Sequence, residues 1–219
     1  MDWFQGKDLA LQKALDADNP AAVDAAIQAG ANLNARGVHG VTPLGYAIGH
    51  SSKRAYTRLL QLRADTAKRD DEKDNAMTLA TQAYAKDPDY LLLALQAGGD
   101  PNTRRADNDP IIIRFVNDRN LDAVRMMKTN GADINIRDRG NDPIIITAGL
   151  MEYWDVVWCL LELGARFDYK GDPFTMQDIF KPRKSTATPP DSPLWPYKVK
   201  SWKFMRQHGL ALADLPGAN

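Results

Sequence analysis

Pairs of short apolar segments, each pair followed by a polar loop, recur along the sequence. Residues 144–150 and 155–163, for example, place apolar side chains at helical spacing and are separated by a few polar residues. Such short helices bury their apolar faces only by packing against neighbouring helices. The pattern therefore predicts an all-α chain of stacked helix pairs.

Two phrases keep these pairs in register. The phrase that ends a pair reads Ala-Gly-Ala-Asn-Leu-Asn at residues 29–34 and returns, with substitutions, at residues 62–67, 97–102, 130–135 and 163–168. The steps between the last residues of these phrases are 33, 35, 33 and 33. A phrase that precedes the first helix of a pair follows the same period at residues 41–44, 76–79, 109–112 and 142–145. Five repeats in one register predict a repeat architecture.

Residues that start and stop helices occupy fixed places in the repeat. Glycine follows the second helix in four repeats, where a left-handed residue ends a helix; these are Gly30, Gly98, Gly131 and Gly164. Arg63 stands there in the second repeat, so we expect a less regular helix end. Thr42 and Thr78 are expected to bond to the backbone where the first helix begins. Asp109 and Asp142 are expected N-caps, with the isoleucine triplets after them starting helices despite their β-propensity.

A 33-residue repeat of turn, helix, helix and Gly-Ala-Asp-Val-Asn-like loop resembles the ankyrin repeat. The match covers residues 7–170. The resemblance implies an ankyrin-repeat solenoid of about five helix–turn–helix units, with finger loops between them and a C-terminal capping helix pair. The expected domains are ankyrin repeats over residues 1–170, with units ending near 34, 67, 102, 135 and 168, a degenerate C-terminal cap with a proline-rich loop over 171–210, and a tail over 211–219.

The expected cap consists of a helix over residues 174–180, a proline-rich loop over 181–196 and a closing helix over 197–208. Trp202 and Met205 should face inward, and Gly209 should end the closing helix. The last ten residues are expected to fray.

Composition narrows the chemistry that this chain can perform. The 28 Lys and Arg residues balance the 28 Asp and Glu residues, which argues against a nucleic-acid or anionic-membrane binder. The sequence contains no run of 18 apolar residues, so it predicts no membrane-spanning helix. Cys159 and three histidines offer few metal ligands, and catalytic motifs are absent. We therefore expect neither an enzyme nor a bound cofactor or metal.

A binding role is expected instead, on the face of the first helices that varies between repeats and on the finger loops. The predicted partner-binding residues are Tyr46, His50, Tyr84, Arg104, Arg105, Asp107, Arg114, Asn117, Asp118, Arg137, Arg139, Leu150 and Met151. Tyr84, Arg114, Leu150 and Met151 are the expected anchors of this set. The finger residues could instead form solvated charged loops, and Tyr84, Leu150 and Met151 could pack partly into the core.

The whole layout has a closer resemblance. Residues 3–15 run into the phrase at 30–34, and residues 89–102 are followed by a Pro-Ile-Ile repeat and a cap ending in a Trp-containing helix. This layout is similar to the small bacterial ankyrin-repeat proteins encoded beside type VI secretion lipase effectors. The resemblance implies an immunity protein that binds the toxin in the periplasm and occludes its active site.

The immunity hypothesis brings two further expectations. We expect a monomer when the partner is absent, and a periplasmic location. Such relatives carry an export leader, which residues 1–10 do not resemble, so a removed leader is part of the expectation. The alternative is a cytoplasmic ankyrin-repeat adaptor or regulator of another protein.

Overall fold

The computed structural model describes residues 1–181 and 188–218. These residues form twelve α-helices and no strand, which confirms the all-α class. The chain divides into two compact units, an N-terminal unit, Met1–Asp107, and a C-terminal unit, Asn108–Asn219.

The N-terminal unit contains three helix pairs. Its helices are α1 (Asp8–Asp16), α2 (Pro20–Gln28), α3 (Pro43–Gly49), α4 (Lys53–Gln61), α5 (Ala76–Ala83) and α6 (Asp89–Gln96). Helix α3 packs against α1 and α5, while α4 packs against α2 and α6. The first helices of the pairs therefore form one layer and the second helices form another.

The C-terminal unit repeats this two-layer arrangement. Its helices are α7 (Ile112–Asn117), α8 (Leu121–Thr129), α9 (Ile144–Leu150), α10 (Trp154–Glu162), α11 (Met176–Phe180) and α12 (Trp195–Gln207). Helix α9 packs between α7 and α11, and α10 packs against α8 and α12. Ile112, Phe115 and Val116 of α7 are all buried in the core of this unit.

Left-handed residues recur with the sequence period in both units. They lie in the turn within a pair at Asp18, Ser51, Arg119 and Glu152, and after the second helix at Gly30, Arg63, Gly98, Gly131 and Gly164. A third set lies in the loops between pairs at His39, Lys73, Asn108 and Asn141. The backbone therefore takes the same course at these positions, whereas the turn between α5 and α6, all of it within the described residues, has no left-handed residue.

The prediction of a less regular helix end at Arg63 is wrong. Arg63 has a φ of 65° and takes the left-handed conformation that glycine takes elsewhere. The N–H of Ala64 donates to the carbonyl of Leu59 at 3.0 Å, as the N–H of Ala31 donates to Ala26 at the same distance. The repeated backbone overrides the preference of the arginine side chain.

The helix starts follow the expectation in two repeats. The Thr42 hydroxyl accepts the N–H of Gly45 at 3.1 Å, with Pro43 in the first turn of α3. The Thr78 hydroxyl accepts the N–H of Asn75 at 2.8 Å in a reciprocal capping box.

The prediction that Asp109 and Asp142 are N-caps is wrong. Helices α7 and α9 begin at Ile112 and Ile144 without a side-chain cap. The Asp109 carboxylate instead accepts the backbone N–H of Arg139 at 2.8 Å. The isoleucine triplets nevertheless lie at helix starts, as expected.

The C-terminal segment is better packed than the sequence indicates. Met205 is buried as predicted, but Trp202 is half-buried and donates its indole N–H to the carbonyl of Ala213 at 2.9 Å. Leu210, Leu212 and Ala218 are buried, so part of the segment that was expected to fray packs against the fold. Much of the predicted proline-rich loop, residues 182–187, lies outside the described residues.

Candidate functional site

The loops that join successive pairs, called finger loops below, are held by their own aspartates. One carboxylate oxygen of Asp70 accepts the N–H groups of Glu72 and Asp74 at 3.0 and 2.9 Å. Asp138 makes the same two bonds, at 2.8 and 3.0 Å, with the N–H groups two and four residues further on. These side-chain bonds fix the loop backbone in each unit.

Arginines at one repeated loop position brace neighbouring finger loops of the N-terminal unit. Arg36 donates to the carbonyl of Arg69 at 2.5 Å and to the carboxylate of Asp71 at 2.6 Å. Arg69 in turn donates to the carbonyl of Arg104 at 2.7 Å. Arg104, a predicted contact residue, is half-buried and takes part in this chain of bonds.

Arg137 occupies the same position in the C-terminal unit. Its guanidinium donates to both carboxylate oxygens of Asp172 at 3.2 and 3.0 Å, to the carbonyl of Asn141 at 2.7 Å, and lies over the Tyr169 ring. The hydrogen bonds to Asp172 raise the pKa of Arg137 above its ordinary value. The guanidinium of Arg137 is therefore largely occupied by partners in its own unit.

Tyr46 is not on the exposed surface that the sequence predicts. Its ring is 4% exposed, under Phe4, and its hydroxyl donates to Asp16 at 2.7 Å. Burial and the Asp16 carboxylate raise the pKa of Tyr46 to about 12. His50 is exposed and stacks on Tyr46, with ring centroids 3.8 Å apart. The N-terminal segment that covers Tyr46 carries no repeat phrase, so periodicity could not reveal it.

On α5, Gln82 and not Thr81 faces solvent beside the predicted anchor Tyr84. Thr81 is buried and donates its hydroxyl to the carbonyl of Met77 at 2.8 Å. Gln82 is exposed instead, and its side chain donates to Asp74 at 3.2 Å. Tyr84, a predicted anchor, is half-buried at the end of this helix.

Two predicted finger residues lie beside this face of α5. Arg105 and Asp107 form an ion pair at 3.4 Å and line a shallow groove of about 220 Å³ together with Asp74, Gln82 and Ala106. Asp74 and Gln82 were not among the predicted contact residues. The groove offers both signs of charge and amide hydrogen bonds to a partner.

The predicted residues of the C-terminal unit lie on three elements. Arg114 and Asp118 form an ion pair at 3.5 Å on α7, and Asn117 is exposed beside them. At the end of α9, Leu150 is half-buried and Met151 is 48% exposed. On the finger loop, the side chain of Arg139 is 65% exposed and lies 3.7 Å from the Asp109 carboxylate.

A buried polar cluster in the C-terminal unit was not predicted. The Glu152 carboxylate accepts the indole N–H of Trp154 at 2.9 Å, the N–H of Thr188 at 2.9 Å and the Thr188 hydroxyl. The ammonium group of Lys198 lies 3.4 Å from the same carboxylate oxygen. Burial raises the pKa of Glu152, but these hydrogen bonds outweigh it, so the pKa lies below its ordinary value. Thr188 and Lys198 are 36 and 46 residues away from Glu152 in the sequence, so no local sequence pattern indicates that they meet it.

The structure also shows where groups that could act as a nucleophile or as metal ligands lie. Cys159 is 1% exposed, and burial raises the pKa of its thiol. Within residues 1–181 and 188–218, no three His, Cys, Asp or Glu side chains converge as metal ligands would. No helix among those residues is long and apolar enough to cross a bilayer.

No protein-family model matches the chain. No curated protein matches it either.

Proposed function

We propose that this chain is an ankyrin-repeat protein that binds another protein through side chains that differ between its repeats. The supporting observation is the recurrence, in each unit, of a hydrogen-bonded backbone that carries unlike exposed residues. Asn34 accepts the N–H of Asp65 at 2.8 Å, and Asn135 accepts the N–H of Arg166 at 2.8 Å. A constant framework with a variable surface is typical of repeat proteins that present binding contacts.

The contact residues of this proposal lie in both units. The N-terminal unit presents His50, Tyr84, Arg105 and Asp107, to which Gln82 is added. The C-terminal unit presents Arg114, Asn117, Asp118, Arg139, Leu150 and Met151. Tyrosine and arginine are frequent hot spots of protein interfaces, and Met151 adds exposed apolar surface.

The proposed partner is a secreted lipase-type toxin, and the proposed role is immunity. This part rests on the similarity of the repeat layout to ankyrin-repeat immunity proteins. The mechanism is steric: the bound chain covers the entrance of the toxin active site and performs no reaction itself. An interface of about 800 Å² per partner is expected for a stable complex. The proposed site of action is the periplasm, with a free chain that is monomeric.

Separate capture from periplasmic and cytoplasmic fractions of the native host tests the role. The tagged chain serves as bait, and partners are identified by mass spectrometry. The proposal predicts a periplasmic lipase-like partner whose ester hydrolysis falls as the purified chain is added in stoichiometric amount. A stoichiometric cytoplasmic partner without toxin activity would overturn the immunity role and support an adaptor.

A further inference from the structure

The C-terminal unit contains a pocket that the proposed protein-binding residues do not use. Its volume is about 340 Å³, within the range of small-molecule sites. Most of its wall is apolar, formed by Ile179, Phe180, Pro189, Pro190, Trp195 and Leu215. The polar groups in the same wall come from Glu152, Lys181, Thr188 and Lys198.

Other donors already form hydrogen bonds to the carboxylate oxygen that lies nearest to Lys198. The Glu152 oxygen nearest to Lys198 accepts two bonds at 2.9 Å, from Trp154 and from the backbone of Thr188, and a third from the Thr188 hydroxyl. Because these donors are closer, the Lys198 ammonium stands at a long 3.4 Å from this oxygen. Among the described residues, the carboxylate thus has several hydrogen-bond donors, whereas the ammonium has this one oxygen acceptor.

Lys198 is itself unusually placed for a lysine. The residue is 5% exposed, and its ammonium nitrogen lies 4.9 Å from the centroid of the Trp154 ring. An ammonium group has three donors, and a buried charge is costly unless those donors are satisfied. Glu152 is the one acceptor that the described residues place within hydrogen-bond distance of Lys198. A buried cation in an apolar wall calls for a further oxygen acceptor.

We propose that this pocket binds a small amphiphile, with an apolar chain against the proline and aromatic wall and an oxygen acceptor on the Lys198 ammonium. The acceptor is a carboxylate or an uncharged carbonyl oxygen, because either supplies the missing bond. A cationic head group has no place beside Lys198. This site is independent of the proposed partner-binding residues.

Three probes with one apolar chain test the head group. Sodium octanoate, octanamide and octylammonium chloride are titrated into the full chain while the Trp195 indole resonance is followed by NMR. Octanoate and octanamide are expected to give saturable shifts, and octylammonium is expected to give none. The tighter of the two acceptors assigns the natural head group as charged or neutral. Absence of a saturable shift with both acceptors, or equal binding of octylammonium, overturns the proposal.

Two variants and a control separate binding from folding. Lys198→Met keeps an apolar side chain and removes the donors, so octanoate affinity should fall about tenfold or more. Leu215→Trp fills the pocket from its half-buried edge and should abolish binding of every probe. Lys200→Met changes an exposed lysine of the same helix and should leave affinity unchanged. If Lys198→Met does not fold, Leu215→Trp decides, and undiminished binding by that folded variant contradicts the assignment.

Discussion

Nine non-glycine residues among those described have left-handed φ values, and Arg63 shows the cost most clearly. For a side chain with Cβ, this conformation costs about 1–2 kcal/mol, whereas glycine takes it without steric strain. Gly98 occupies the equivalent place one repeat later, after α6, and a Cβ added there would meet open space. The two positions therefore form a matched pair.

Arg63→Gly is expected to stabilise the chain by up to about 1 kcal/mol, because relief of strain exceeds the entropy that glycine adds to the unfolded state. Gly98→Arg is expected to destabilise it by about 1 kcal/mol. Urea unfolding of both variants checks these signs. Destabilisation by Arg63→Gly would mean that the arginine side chain makes a stabilising contact.

Glu152 predicts a pH dependence of stability. Its folded-state pKa lies below the unfolded value, so its contribution is present above the unfolded pKa and is lost as the pH falls through the folded pKa. Glu152→Gln should therefore lose less stability than the parent chain between about pH 6 and pH 3. Glu162→Gln, which alters an exposed carboxylate on α10, is the control in urea unfolding. Equal acid sensitivity of the parent and Glu152→Gln would contradict the network.

At the scale of elements, side chains in one pair hold the backbone of the next. Asn34 follows the first pair and accepts the N–H of Asp65, which follows the second. Asp18 in the turn of the first pair accepts the N–H of Ala55 at 2.7 Å. The first and second helix pairs are therefore linked at both ends as well as through their apolar faces.

Asn34→Ala should destabilise the chain by about 1 kcal/mol, because it removes the acceptor of a bond between pairs. Asp65→Ala is the matched control, since within the described part of the chain its carboxylate accepts the nearby N–H of Ala67, at 2.9 Å, and no bond from another pair. Thermal or urea unfolding should show the larger loss for Asn34→Ala. Equal losses would indicate that the bond between pairs adds nothing to the local turn.

The elements were predictable from the sequence to the extent that they repeat. The phrases located the helix pairs and their glycine ends because each repeat presents the same signal. The prediction of an N-cap at Asp109 was wrong because its carboxylate accepts the N–H of Arg139, which is 30 residues away in the sequence. Tyr46 was misplaced because an N-terminal segment outside the repeat covers it. The Glu152 cluster escaped prediction because Thr188 and Lys198 have no repeat position.

At the scale of the whole molecule, the proposed contact residues lie in both units. Some of them are expected anchors of the interface, and others are charged residues on finger loops. Arg105 and Arg139 have exposed side chains on finger loops. Charges at such positions act mainly on the rate of encounter, and salt screens them. Their effect is therefore separable from that of the anchors Tyr84 and Met151.

Arg105→Gln combined with Arg139→Gln should lower the association rate with the captured partner severalfold at low salt. The dissociation rate should change little, and the difference should shrink as ionic strength rises. Surface plasmon resonance over a salt series measures both rates. A loss confined to the dissociation rate would place these arginines among the buried anchors instead.

Quantitative capture of the partner by the parent chain and by a Tyr84→Ala, Met151→Ala variant tests the binding proposal most directly. Gln96→Ala with Lys128→Ala, two exposed positions on second helices, is the folded control. We expect the parent and the control to retain one stoichiometric protein and the variant to lose it about tenfold or more. Equal retention by a folded Tyr84→Ala, Met151→Ala variant, or no stoichiometric protein on the parent chain, would contradict the proposal.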